Sequence, residues 1–389
     1  MLAALPGRAD PEVGPRGTEA IPVLREVWQL GSEQIYPAAL AGRFDERTLA
    51  RLETELRETQ RPLADVLNPF LASLRISHTR FYDRRHQGYY LLRSLFTTRD
   101  PDQPSLYTLG VQLREEAPDR IRAVFEGSDA QRAGLSRGQR IVAVNGAPFS
   151  SLLQWQTPEP VRLTVESAAG RQEVAVRPVW RGFHAALADA TAASRRFIPC
   201  GSRRVAYLHL WSGTDSRFLD TLIDAVASAR AAAASGFVLD LRDGHGGAWW
   251  EYLDPFFADR ERYFAFTIVG RDGESEPFRA EPRANPDAWL GPLAVLINDG
   301  TRSGKESLAY QFKHTGRATL VGTTTAGAFV AGYGAFADRD ADYAMMMAVE
   351  ERRLDGTVIE GIGVAPDITV PEREGVDAPL DAALEALSC

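Results

Sequence analysis

Cysteine is nearly missing from this chain of 389 residues: only Cys200 and Cys389 are present, far apart, which suggests neither a disulfide framework nor a thiolate metal cluster. Clusters of His, Cys or carboxylate at metal-ligand spacing are also lacking, so no metal and no cofactor are expected. There is no basic run, and 44 Lys and Arg against 52 Asp and Glu leave a net charge of -8. That balance argues against nucleic acid or an anionic membrane as partner. No stretch approaches the roughly 20 apolar residues of a membrane span. The opening MLAALPGRADPEVGPRG lacks both a basic region and the apolar run of a signal peptide, so a cytoplasmic protein is expected, exported only if the start is truncated. Lysine is the scarcest cation, with Lys305 and Lys313 alone.

The composition, 44% hydrophobic and 25% charged, is that of a chain able to bury cores, and its length suggests two or three domains. Residues 1–20, rich in Pro, Gly and charge, read as a flexible leader. From 21 to 104 the pattern is helical, with Val23, Leu24, Val27 and Trp28 and later Leu49, Leu52 and Leu56 at helical spacing. That region ends in ISHTRFYD, which carries Ser77 and His78. Residues 105–180 alternate as strands through RIRAVF, QRIVAVNG and VRLTVES, with an Asn145-Gly146 hairpin signal. From 181 to 389, VAYLHLW, FVLDLR, LAVLIN and ATLVG alternate with helical stretches, implying an α/β layered core.

Two loops follow the apolar strands. In DLRDGHGGAWW, Gly244, Gly246 and Gly247 leave main-chain amides unscreened, an arrangement suited to a tight turn or to stabilising an oxyanion. In NDGTRSGKES, Ser303 stands at a helix start, beside free amides and the positive dipole end. With Glu306 it also spells a capping box, so the residues alone leave Ser303 as cap or nucleophile.

Four segments in order, DLRDGHGG, NDGTRSGKES, VGTTTAG and IEGIGVAPDITV, together resemble the C-terminal processing protease and tricorn superfamily of serine peptidases, over about residues 22 to 370. GSDAQRAGLSRGQRIVAVNGAPF is similar to the centre of a PDZ domain. The resemblance implies a multidomain α/β protein with a crotonase/ClpP-like α/β peptidase core, a β-rich PDZ-like domain and an N-terminal helical domain. Leu109, Gly110 and Val111 stand where PDZ domains hold a peptide carboxylate.

One branch of the family serves its serine with a lysine in a turn where this chain has Ala328. Lys305 projects about 200° around the helix from Ser303 and Lys313 is nearly three turns on, so both read as surface charges. The tricorn-type branch instead uses a histidine from the front domain. Ser77, His78 and Glu360 match its supporting serine, its base and its glutamate, with Ser303 as nucleophile and the amides of Gly246 or Gly247 and of Gly304 as oxyanion donors. The implied activity is a cofactor-free serine endopeptidase, tail-specific, acting on peptides or unfolded protein. An inactive binder of peptide or a small hydrophobic ligand on the same fold, or a serine hydrolase of non-peptide esters, are the alternatives. His245 is a lesser candidate base, and Asp240 and Arg242 are expected to pair and hold the glycine loop.

Overall fold

The computed structural model describes residues 14–96, 105–271, 273–335 and 342–389. Of the expected leader 1–20, residues 1–13 lie outside the described residues and the remainder is packed. Gly17–Ala20 form a 3-10 turn, Ala20 is fully buried, and the Leu63 amide donates to the Pro15 carbonyl. Helices α1 (Ile21–Gln34), α2 (Glu46–Thr59) and α3 (Leu63–Ser73) come next. Their helical spacing of apolar residues lets Leu24, Val27 and Trp28 join Leu52, Leu56, Leu67 and Phe70 in one cluster. β1 (Arg80–Asp83) and α4 (Gln87–Phe96) complete this front region.

Residues 105–182 carry β2 (Ser105–Thr108), β3 (Val111–Leu113), β4 (Ile121–Val124), the short α5 (Asp129–Arg132), β5 (Arg140–Val144), β6 (Ala147–Pro148), β7 (Val161–Ser167), β8 (Gly170–Val176) and β9 (Val179–Gly182). Val161, Leu163 and Val165 of β7 are buried while Arg162 is exposed, the period of a strand with one face covered. Asn145 and Gly146 both have positive φ, 50° and 84°, as a two-residue turn between β5 and β6 requires.

The second half runs α6 (Phe183–Ser194), β10 (Arg196–Cys200), β11 (Arg203–His209), α7 (Ser216–Ala231), β12 (Gly236–Asp240), β13 (Phe266–Gly270), β14 (Gly273–Glu274), β15 (Leu293–Ile297), α8 (Gly304–His314), β16 (Thr319–Gly322), β17 (Ala331–Ala335), β18 (Tyr343–Leu354), β19 (Thr357–Val358), β20 (Ile368–Thr369) and α9 (Ala378–Ala386). The aromatic stretch after β12 forms two 3-10 turns, Trp250–Tyr252 and Asp254–Phe256, with Pro255 unable to donate to a longer helix. One sheet, ordered β10-β11-β12-β15-β16-β20, is parallel from β11 onward. Both its faces are covered: Leu208, Leu239, Val295 and Leu320 enter the main core, and Val205, Val238, Leu296 and Val321 pack beneath α9. This explains why its strands read as unbroken apolar runs.

Cys200 and Cys389 correct the reading of isolated thiols. They form a disulfide, with Cα atoms 5.2 Å apart, that ties the edge strand β10 to the chain beyond α9. The second sheet has no counterpart in the sequence reading. β18 pairs with β1, β13, β17 and β19, with Arg80 opposite Met346 and Asp83 opposite Tyr343. Tyr343, Met345 and Met347 of β18 pack among the front helices, with Phe81 stacked on Tyr343, whereas Ala344 and Met346 join the main core. One strand therefore serves as the wall between two cores, and it carries the chain after α3 toward the ends of β12 and β15. No helix among the described residues is long and apolar enough to cross a membrane.

Candidate active site

The carboxyl ends of parallel strands in an α/β sheet are where ligands gather, and both informative loops lie there. β12 ends at Asp240, which is fully buried and takes Arg242 through both oxygens, at 2.6 Å for the Nη2 contact. The expected Asp240–Arg242 pair thus fixes the root of the glycine loop. β15 ends at Ile297, and the chain turns through Thr301 to Ser303.

Ser303 stands at the N-cap of α8 and shares a capping box with Glu306, but its φ of +56° lies in the left-handed region that a non-glycine residue adopts only under constraint. Its amide donates to the Ala328 carbonyl (2.9 Å) and to Glu306 Oε2 (3.1 Å). Gly246 packs so closely that a Cβ there would collide with the Ser303 side chain, and a Cβ on Gly304 would collide with the Gly247 carbonyl. Among the described residues, no protein group takes up the amides of Gly246, Gly247 or Gly304.

Two carboxylates, the buried Glu306 and the half-buried Glu360, organise the opposite wall. Glu306 accepts from the Thr325 hydroxyl (2.6 Å) and from the amides of Gly327, Ala328 and Ser303. Burial pushes its carboxyl up against the pull of these four donors. Glu360 accepts from the amides of Phe329 (2.7 Å), Val330 (3.0 Å) and Ser77 (2.9 Å), and from the Ser77 hydroxyl (3.0 Å). Ser77 Oγ lies 2.8 Å from His78 Nδ1. Ser77 has a single hydroxyl proton and donates it to Glu360, so Oγ must accept from Nδ1–H. That fixes the His78 tautomer and leaves Nε2 with a lone pair.

His78 itself has φ +52°, and its Cβ and carbonyl sit where a Cβ on Gly332 would have to go. Thr79 stitches the turn to β18 by accepting from the Ala348 amide (3.1 Å). Register with β18 is what delivers the early Ser77–His78 turn to the late loops. His78 and Ser303 line the same cavity of 330 Å3, together with His245, Gly247, Trp249, Phe266, Phe329 and Arg352. Burial, and then the nearby Arg302 charge, push the His78 pKa well below its ordinary value, so the imidazole is neutral. Burial likewise drives His245 down to about 3.

Residues 204–370 match peptidase family S41. The family read from the four ordered motifs is the one found. The S41 segment runs from β11 through β20 and holds the glycine loop, Ser303 and Glu360; Ser77, His78 and the β-rich region precede it. Carboxyl-terminal-processing protease of Synechocystis sp. is 28% identical over 213 residues, 53% of this chain and 48% of the relative. Carboxy-terminal processing protease CtpA of Bacillus subtilis is 23% identical over 231 residues, 56% and 46% of the two. The matched stretch is about half the length of each relative. In overall fold the chain is similar to the photosystem II D1 C-terminal processing protease, with TM-score 0.59 and 18% identity over 96% of this chain and 98% of that one. It is also similar to mature CPAF solved with lactacystin, with TM-score 0.55 and 14% identity over 95% and 96%. The mixed α/β multidomain fold is thus that of solved S41 proteases.

Within the S41 segment one residue departs from its expected place. Lys305 is not a surface charge: it is fully buried, and Nζ donates to the carbonyls of Leu210 (3.2 Å) and Asp243. Burial pushes its pKa down to about 7. Projection away from Ser303 does not lead to solvent here, because α8 is covered on both sides, with Lys305, Leu308, Ala309 and Phe312 all buried. Lys313 is partly exposed and donates to the Ala365 carbonyl (2.6 Å).

Leu109, Gly110 and Val111 are buried, and the Gly110 amide is taken by Thr108 Oγ1 (3.1 Å). The outer edge of β3 is occupied by Gln87 of α4, whose carboxamide donates to the Val111 carbonyl and accepts from the Leu113 amide, both at 2.8 Å. Neither Gln87 nor Gln112 stands out in the sequence, since an isolated carboxamide has no periodic or spacing signal.

Proposed function

We propose that this chain is a serine endopeptidase that works through an acyl-enzyme on Ser303 with His78 as general base. The observation that supports this most is the chain of hydrogen bonds from Glu360 through Ser77 to His78, ending in a cavity shared with Ser303. His78 Nε2 takes the Ser303 proton as Oγ attacks the scissile carbonyl carbon. The resulting oxyanion is stabilised by the unused amides of Gly304 and of Gly246 or Gly247. Collapse breaks the C–N bond, and the same proton passes from Nε2 to the leaving amine. Water, deprotonated by His78, then releases the new carboxyl terminus and restores Ser303.

The substrate class in this reading is peptide or an unfolded protein tail, in keeping with the names of the relatives. Residues 105–182 are read as a PDZ-like module selecting a free carboxyl terminus at Leu109, Gly110 and Val111. A peptide adding to β3 must displace Gln87, so Gln87→Ala is expected to tighten binding of a free-carboxyl peptide over its amidated form in calorimetry; equal binding of both forms removes the assignment. The Cys200–Cys389 disulfide favours export over the cytoplasm, because such bonds persist in oxidising compartments. Alkylation of unreduced, native-source protein that modifies both thiols would reverse that placement.

Fluorophosphonate labelling tests the chemistry. Wild type is expected to label, and Ser303→Ala and His78→Ala to lose the label. An unlabelled wild type points to a binder, and labelling without cleavage in a diverse peptide mixture read by mass spectrometry points to an esterase.

A further inference from the structure

The glycine loop is held by a side chain from outside the S41 segment. Gln112, the middle residue of β3, donates Nε2–H to the Gly244 carbonyl (3.1 Å) and accepts the Gly244 amide on Oε1 (2.8 Å). Such a reciprocal pair is what a neighbouring strand would offer. Gly244 has φ +67°, and a Cβ there would run into the Trp211 carbonyl. Residue 244 therefore cannot be anchored through a side chain of its own, and its place is set by groups acting on its main chain.

Those groups come from several directions. Asp243 is gripped through Oδ1 by Arg122 Nε (2.8 Å) and Asn298 Nδ2 (3.1 Å), and its carbonyl accepts from Lys305 on the helix that begins beside Ser303. His245 donates its amide to Trp211 (2.8 Å). Only His245 then separates the Gln112 clamp at Gly244 from Gly246, the glycine packed on Ser303. Gln112 is itself immobilised, because β3 is paired with β4 on one edge and sealed by Gln87 on the other.

We propose that Gln112 is a positioning residue for the reaction: its carboxamide sets the spacing between the loop amides and the Ser303 hydroxyl. The proposal rests on the serine-peptidase reading above. Small misplacement of such donors costs rate rather than ground-state binding, so Gln112→Met is expected to lower kcat about tenfold to a hundredfold, with KM nearly unchanged.

Gln112→Glu supplies a readout that a merely structural role would not move. A protonated carboxyl accepts from N–H and donates to C=O as the carboxamide does, whereas its ionised form repels the Gly244 carbonyl. The ratio of Gln112→Glu to wild-type kcat on one peptide is therefore expected to rise as pH falls toward the carboxyl pKa. The Gln112→Met ratio should stay flat. A Met variant that keeps kcat within about twofold of wild type, or a Glu ratio independent of pH, overturns the positioning role. Failure of wild type itself to label or cleave overturns the underlying peptidase reading instead.

Discussion

Two buried histidines in this molecule meet carboxylates in different ways and end in different charge states. His209, at the end of β11, has Nδ1 2.9 Å from Glu126 Oε1 and Nε2 2.9 Å from the Arg242 carbonyl. Burial alone would lower its pKa, but Asp240 and Glu126 outweigh that and raise it. With acceptors at both nitrogens the ring holds both protons, and it latches the β-rich region, through Glu126, to the root of the glycine loop. At His78 the carboxylate is one group further away: the Ser77 hydroxyl stands between the ring and Glu360. Burial then prevails, and the imidazole stays neutral with a free lone pair. A direct carboxylate makes a structural cation, and an interposed hydroxyl leaves a neutral imidazole held in one orientation.

The sharpest way to break this comparison is to remove the base. His78→Ala is expected to lower kcat/KM on a cleaved peptide by at least about a thousandfold, within the range for loss of a general base; a loss of less than tenfold would remove His78 from the mechanism. Next comes the latch. Glu126→Gln is expected to cost about 3 kcal/mol of stability by denaturant unfolding, because His209 loses its charged partner. The folded His209 pKa is raised, so its contribution is fully present below the unfolded value of about 6.5 and is lost as pH rises through the folded value. The deficit should accordingly shrink above neutral pH, and a deficit constant with pH would contradict a cationic His209.

Ser77→Ala is expected to have a smaller effect, lowering kcat about tenfold to a hundredfold by loosening the ring without removing it. Unchanged kcat would make the Ser77 bridge dispensable. Smallest is a shift of profile: with the His78 pKa depressed, wild-type kcat/KM should hold its plateau as pH falls through about 6.5 and decline only below. An acid limb at or above that value would mean a base that is not buried as described.

The parallel sheet and its two loops were legible because both-face burial writes continuous apolar strands and because Gly and Ser stand at their ends. The front helices were legible from their spacing. β18 was not: AMMMAV shows no alternation of apolar with polar, since its alternate residues face two different cores. Lys305 was misread for a related reason, helix geometry giving direction but not what lies in that direction. Ser303 was ambiguous because a capping box and an elbow share the same letters; the structure holds the capping box with Glu306, and the backbone dihedral alone marks the elbow.

The double-sided strand has a consequence for dissection. Expressing the S41 segment alone would strip the front helices from Tyr343, Met345 and Met347 and leave a sticky, water-facing stripe along β18, while also deleting the imidazole. The unit of folding is therefore larger than the segment that matches S41.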